Sequence, residues 1–183
     1  MIVYRHADTR LPFLWEASEQ PGARWHRDGD GPVQYFSETA DGAWAEFLRH
    51  EEITEPSDLE GVRRAMWAVE VPDHELAEPS LAAEVVTGGP GTYAACREEA
   101  GRLRANGATG LAAPSAALVP GTPSGWQVDG GMRPGPILGE RTIALFSRRP
   151  DLTGWCACAA GRPRADLLGR VHPLTSLLPS RED

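Results

Sequence analysis

Glycine and proline punctuate this chain so densely that few segments can run far before a turn. Twenty Gly and 16 Pro among 183 residues favour short strands joined by many turns over a helical bundle, because Gly weakens helices and Pro removes a backbone donor. Between those breaks the pattern alternates in short stretches. Residues 1–6 (MIVYRH), 32–37 (PVQYFS) and 65–71 (AMWAVEV) read as strands, the first placing Tyr4 and His6 opposite Arg5. Two more strands, Thr142–Ser147 and Thr153–Ala159, are expected to pair as a hairpin through Arg149-Pro150-Asp151. Helical patterns cover Gly42 to Glu51, capped by Thr39 or Asp41, and the stretch from Thr92, as cap, to Ala105, stopped by Asn106-Gly107. Gly110–Ala117 leads into a long Gly- and Pro-rich loop to about Gly139. Short strands with two or three helices indicate an α+β domain.

The length suits one domain, expected over 1–160, followed by a loosely held tail over 161–183. With 18 Lys and Arg against 26 Asp and Glu, the net charge is −8, which argues against direct nucleic-acid binding. Acidity overall still allows a few Arg side chains, which far outnumber Lys, to line one cleft for an anionic ligand. No apolar stretch approaches the ~18–20 residues needed to span a bilayer. The start lacks signal-peptide features, so a cytoplasmic, membrane-free protein is expected. Three cysteines argue against a disulfide framework. Cys156-x-Cys158, with Cys96 and His172, misses the usual zinc spacing, so no metal is expected and the pair reads as two buried small side chains on one strand face. Gly88-Gly89-Pro90-Gly91 lacks the Lys-Ser/Thr of a phosphate loop.

Three separated fragments carry the remaining information: Tyr4-Arg5, the run from Gly22 to His50, and Ala113-Pro114-Ser115. The middle one, GARWHRDGDGPVQYFSETADGAWAEFLRH, holds an Arg-Trp turn, a strand with Tyr35, and a helix with one internal carboxylate, Glu46. Taken singly, each residue has a plain structural reading. Arg5 and Arg24 are surface charges, Arg24 stacking on Trp25. Tyr35 is a core-rim residue, Glu46 a solvated helix carboxylate, and Ser115 a turn residue after Pro.

As an ordered set, Tyr4-Arg5, Gly22–Trp25, Tyr35, Ala43–Glu46, His50 and Pro114-Ser115 resemble the RES-domain family, named for its Arg, Glu and Ser. The pattern departs at His26, where the family often has Asn, and lacks an Asn-Pro element soon after Ser115. The resemblance implies an ADP-ribosyltransferase-like fold of two small packed β-sheets with flanking helices. It also implies an enzyme that consumes NAD, the toxin of a pair whose partner is an antitoxin protein. Its reaction would cleave the nicotinamide–ribose bond and pass ADP-ribose to water, phosphate or a macromolecule. That bond breaks through an oxocarbenium-like state, which a nearby carboxylate stabilises. Glu46 would be the catalytic carboxylate and Arg5 would hold phosphate or ribose, a guanidinium offering a planar fork of donors. Arg24, Trp25, Tyr35 and Ser115 would complete the NAD pocket, Tyr35 on the nicotinamide side. The alternatives are a non-catalytic nucleotide-binding module and a transferase that uses NAD as a building block; the oligomeric state is open.

Overall fold

A computed structural model describes residues 1–15, 20–72 and 76–174. The alternating start of the chain forms β1, Ile2–Asp8, and the next apolar stretch β2, Val33–Ser37. Helix α1 (Ala40–His50) opens at Thr39, whose hydroxyl accepts the Gly42 N–H at 3.0 Å. Asp41 lies in its first turn and Arg49 and His50 in its last, the order that suits the helix dipole. Of the two caps the sequence allowed, Thr39 is the one used. A 3₁₀ turn at Pro56–Leu59 leads to β3, Arg64–Glu70. Then come β4 (Leu76–Ala77), the short α2 (Ala83–Val86), and α3 (Tyr93–Ala105). Thr92 makes no capping hydrogen bond to α3; its hydroxyl donates back to the Gly89 carbonyl at 2.9 Å instead. The chain continues through β5 (Gly110–Pro114), β6 (Ser124–Val128), β7 (Met132–Ile137), β8 (Arg141–Phe146) and β9 (Gly154–Gly161).

The α+β class holds, with two sheets of very unequal size. Seven strands run in the order β4-β5-β8-β2-β1-β3-β9, and β6 pairs only with β7. The expectation of two small packed sheets is thus corrected, since the β6–β7 side chains Trp126, Val128, Met132 and Ile137 are all exposed. The large sheet nevertheless has a seam. β1 is in register with β3 over seven residue pairs, but with β2 at a single pair, Tyr4↔Ser37. Four strands and three strands therefore meet at one point and part on either side of it.

Burial follows strand alternation. Val3, Phe36, Val69, Ala112, Ile143 and Leu145 share one core cluster, while their neighbours Leu111, Ala113 and Ala144 join another with Cys96, Ala100 and Leu103 of α3. Tyr4 and Met66 pack instead against Trp44, Phe47 and Leu48 of α1. Both long helices thus cover one sheet face, on either side of the seam.

β8 and β9 do not form the expected hairpin. β8 lies between β2 and β5, and β9 pairs with β3 at the far edge. Cys156 and Cys158, expected to be buried, are exposed on that edge strand, whereas Cys96 is buried. Between residues 161 and 174 the chain stays attached: Leu167, in a 3₁₀ turn over Ala165–Arg170, is 1% exposed within the α1 cluster. Val171 bridges to Leu118; most of the stretch LTSLLPSRED lies outside the described residues. No helix among the described residues is long and apolar enough to cross a membrane.

Candidate functional site

A cavity of about 480 Å³ opens along the seam, within the size range of small-molecule sites. Its lining includes five consecutive residues of β1, from Tyr4 to Asp8, and Val33, Tyr35, Phe36 and Ser37 of β2. Successive side chains alternate between sheet faces, so such a run is lined only where a cavity passes along the strand edge. The parting of β1 from β2 beyond Tyr4↔Ser37 provides that passage. It also brings Arg5, on the opposite face from His6 by alternation, into the same space as Tyr35 and Glu46.

The Arg-Trp segment is a closed turn on the cavity wall. The Ala23 N–H donates to the His26 carbonyl at 3.0 Å, and α3 holds the turn from outside. Arg97 Nε donates to the Ala23 carbonyl at 2.7 Å and Arg104 Nη2 to the Trp25 carbonyl at 3.0 Å. Trp25 is only 1% exposed, so it is a packed wall rather than a free stacking surface. Tyr35 closes the network from β2. Its hydroxyl accepts the Trp25 N–H at 3.2 Å and lies 2.9 Å from His26 Nδ1. His26 Nε2 donates to the Pro21 carbonyl at 3.0 Å, leaving Nδ1 to accept from Tyr35. Burial lowers the His26 pKa and raises that of Tyr35, so both stay neutral. His26 thus ties the Tyr35 hydroxyl to the Pro21 end of the turn. Tyr35→Phe should therefore cost about 1–3 kcal/mol, leaving buried polar atoms without their bridging oxygen. Urea unfolding would measure this, and a variant as stable as the parent would remove Tyr35 from the turn's support.

Glu46 faces the cavity from α1. Thr142 Oγ1 of β8 donates to its Oε1 at 3.1 Å, and His50 Nε2 lies 3.6 Å from its Oε2. The carboxylate side chain is 24% exposed, accessible to a ligand without being fully solvated. His6, from β1, stacks near Trp44 and meets Phe47 edge-on. Its Nδ1 lies 3.3 Å from Arg64 Nη2. Burial, with Arg64, Arg5 and His50 adding to it, pulls its pKa down to about 3. His6 is thus a neutral acceptor at the cavity floor.

The cavity assembles most of the residues singled out in the sequence. Arg5, Arg24, Trp25, Tyr35 and Glu46 all line it. Arg5 donates to Gln34 Oε1 and lies over the Phe36 ring, 5.8 Å from its centre. Arg24 donates to the Gly88 carbonyl at 2.6 Å and to Thr92 Oγ1 at 3.3 Å, and lies over Tyr93 rather than stacking on Trp25. Ser115 is placed differently from expectation. Its neighbours Pro114 and Ala116 are in the lining, whereas Ser115 itself is buried with its hydroxyl accepting the Ala117 N–H at 3.1 Å. Arg49, His6, Tyr93 and Thr142 also line the cavity, outside the set that the sequence motif points to. Of these only Arg49 left a local trace, a charge in the otherwise apolar turn Phe47-Leu48. Among the described residues no group of His, Cys, Asp and Glu is arranged to hold a metal ion.

Comparison with known proteins adds two findings. The RES domain family model matches residues 2–157. The fold is similar to the crystal structure of the M. tuberculosis MbcT-MbcA toxin-antitoxin complex, at a TM-score of 0.56 and 14% sequence identity. That match covers 92% of this chain and 86% of the other. No curated protein sequence matches the chain.

Proposed function

The chain belongs to the RES-domain family, and on that premise we propose that it is an enzyme that consumes NAD by cleaving the nicotinamide–ribose bond. One observation carries this reading: a single helix carboxylate, Glu46, faces a cavity in which guanidinium groups outnumber acids. Among the described residues the lining includes Arg5, Arg24, Arg49 and Arg64 but only Glu46 and Asp8 as acids, in a protein of net charge −8. Such a local reversal of sign focuses an anionic ligand. NAD fits both parts, with a pyrophosphate for guanidinium and a sugar carbon that becomes positive as its bond to nicotinamide breaks.

In this mechanism the electron pair of the C1′–N bond leaves with nicotinamide, which becomes neutral. Glu46 stabilises the positive charge growing on the ribose, its orientation fixed by the Thr142 hydroxyl. Arg5 and Arg24 contribute positive charge for phosphate, and the wall made by buried Trp25 and half-buried Tyr35 restricts water. An oxygen of water, phosphate or a macromolecule then bonds to C1′, losing a proton where it carries one. The fold shared with a toxin–antitoxin complex supports a toxin role with an antitoxin protein as partner, acting where NAD is abundant, in the cytoplasm.

The test is to incubate purified protein with NAD, with and without phosphate, and to identify the products. Free ADP-ribose, phosphorylated ADP-ribose and modified protein correspond to the three acceptors. NAD bound but never consumed would select a non-catalytic module instead, a reading favoured by the position of Ser115 outside the cavity lining.

A further inference from the structure

The cationic side chains of the cavity are not equivalent. Arg24 donates to Gly88 and Thr92, and Arg5 to Gln34. Arg64 reaches His6 and lies 3.9 Å from Asp8, with its Nε alone unpartnered. Arg49 differs. It is only 4% exposed, it lines the cavity, and its Nη1 is buried without a hydrogen-bond partner among the described residues. It forms no ion pair among those residues either, although Glu46 stands one helical turn before it.

A guanidinium stays charged at any physiological pH, and burying one unpaired is among the costliest arrangements a fold can hold. Such an orphan in a cavity wall marks a position whose partner arrives with a ligand. We propose that Arg49 is the residue that grips the phosphate-bearing part of the ligand in this cavity. This rests on the reading of the ligand as NAD, and it adds the group that holds its pyrophosphate. The groups facing Arg49 agree with that geometry. Glu46 supports its charge while burial and Arg24 oppose it, with Tyr93 also nearby. An incoming phosphate would relieve both the desolvation and the Arg24 repulsion. It would also sit one turn along α1 from the carboxylate assigned to the ribose, as adjacent parts of one dinucleotide must. The sequence contains no Lys, so a planar, permanently charged fork is the only kind of long cation available here.

The experiment is calorimetric titration of the parent, Arg49→Met and Arg49→Lys with NAD, ADP-ribose and nicotinamide riboside, alongside urea unfolding of each ligand-free protein. In Arg49→Met, NAD and ADP-ribose should bind about 10- to 100-fold more weakly. Nicotinamide riboside, which lacks phosphate, should bind as before, and stability should not fall, because an unpaired buried charge has gone. Arg49→Lys keeps the charge but not the fork, so its loss should be partial and again confined to the phosphate-bearing ligands. Unchanged NAD affinity in Arg49→Met would overturn the proposal. So would equal weakening of all three ligands together with lost stability, the signature of a merely structural residue. A parent that ignores NAD but binds ADP-ribose through Arg49 would remove the NAD reading and leave this one standing. A parent that binds none of the three would remove both.

Discussion

Glu46→Gln should lower NAD turnover by about 10²–10⁴-fold while leaving the protein folded and able to bind NAD. The substitution preserves volume and removes one charge. The amide oxygen can still accept from Thr142, which holds Glu46 Oε1 at 3.1 Å. The exposed His50 partner, 3.6 Å from the other oxygen, contributes little in solution, so stability should change by less than about 1 kcal/mol. What disappears is the negative charge that opposes the growing positive charge on the ribose. That interaction strengthens towards the transition state, so the loss should fall on kcat rather than KM. Steady-state kinetics and urea unfolding on one preparation would separate the effects. Glu98→Gln on the exposed side of α3 is the control, since it removes the same charge away from the cavity. If Glu46→Gln consumes NAD as fast as this control, Glu46 is a helix-surface carboxylate and the mechanism fails.

The parts of the fold that sequence makes legible are those determined within a few residues. The alternation of Tyr4, Arg5 and His6 specified β1, and the Thr39 cap with its following apolar face specified α1 to within two residues at its start and one at its end. Long-range pairing was not legible. Only a short turn-rich segment separates β8 from β9, so local pattern favours a hairpin between them. The apolar run Ile143–Phe146 is instead buried on both faces, which requires a central position between β2 and β5. That placement delivers Thr142 to Glu46, so a site contact depended on a pairing that local pattern cannot reveal. The seam between β1 and β2 is equally non-local. Without it, alternation would put Arg5 and Tyr35 on opposite faces and the ordered motif would not converge. The β6–β7 hairpin is hidden from local pattern because its turn, Asp129-Gly130-Gly131, is embedded in a Gly- and Pro-rich stretch. There Gly130 and Gly131 supply positive φ, and that composition reads as loop. Arg49 carries the same lesson: its charge is visible in the sequence, its lack of a partner only in the packing.

Glu140 should make the protein less stable as pH rises from about 5 to 8, the reverse of a surface carboxylate's usual contribution. Its side chain is 7% exposed and lies under the start of α1, accepting the Thr39 N–H at 3.2 Å and the Thr39 hydroxyl at 2.7 Å. Gly42 makes room for it, since a Cβ there would stand 2.0 Å from Glu140 Oε1. The helix dipole and the Thr39 hydrogen bonds favour the ionised form, but burial opposes it more strongly. With Glu38 adding repulsion, the pKa is pushed from 4.5 up to about 7. A folded-state pKa above the unfolded one stabilises the fold fully below the unfolded value and is lost as pH rises through the folded value. A shift from 4.5 to about 7 corresponds to roughly 3 kcal/mol across that window. Glu140→Gln imitates the protonated carboxyl at every pH. Its urea unfolding should match the parent near pH 5 and exceed it by roughly 2–3 kcal/mol near pH 8. A difference that does not change with pH, or one favouring the parent at high pH, would mean that Glu140 is ionised beneath α1 and works as an ordinary helix-capping anion. Because Thr39 caps the helix that presents Glu46 and Arg49, the expected stabilisation should leave NAD consumption intact, which the same preparations can verify.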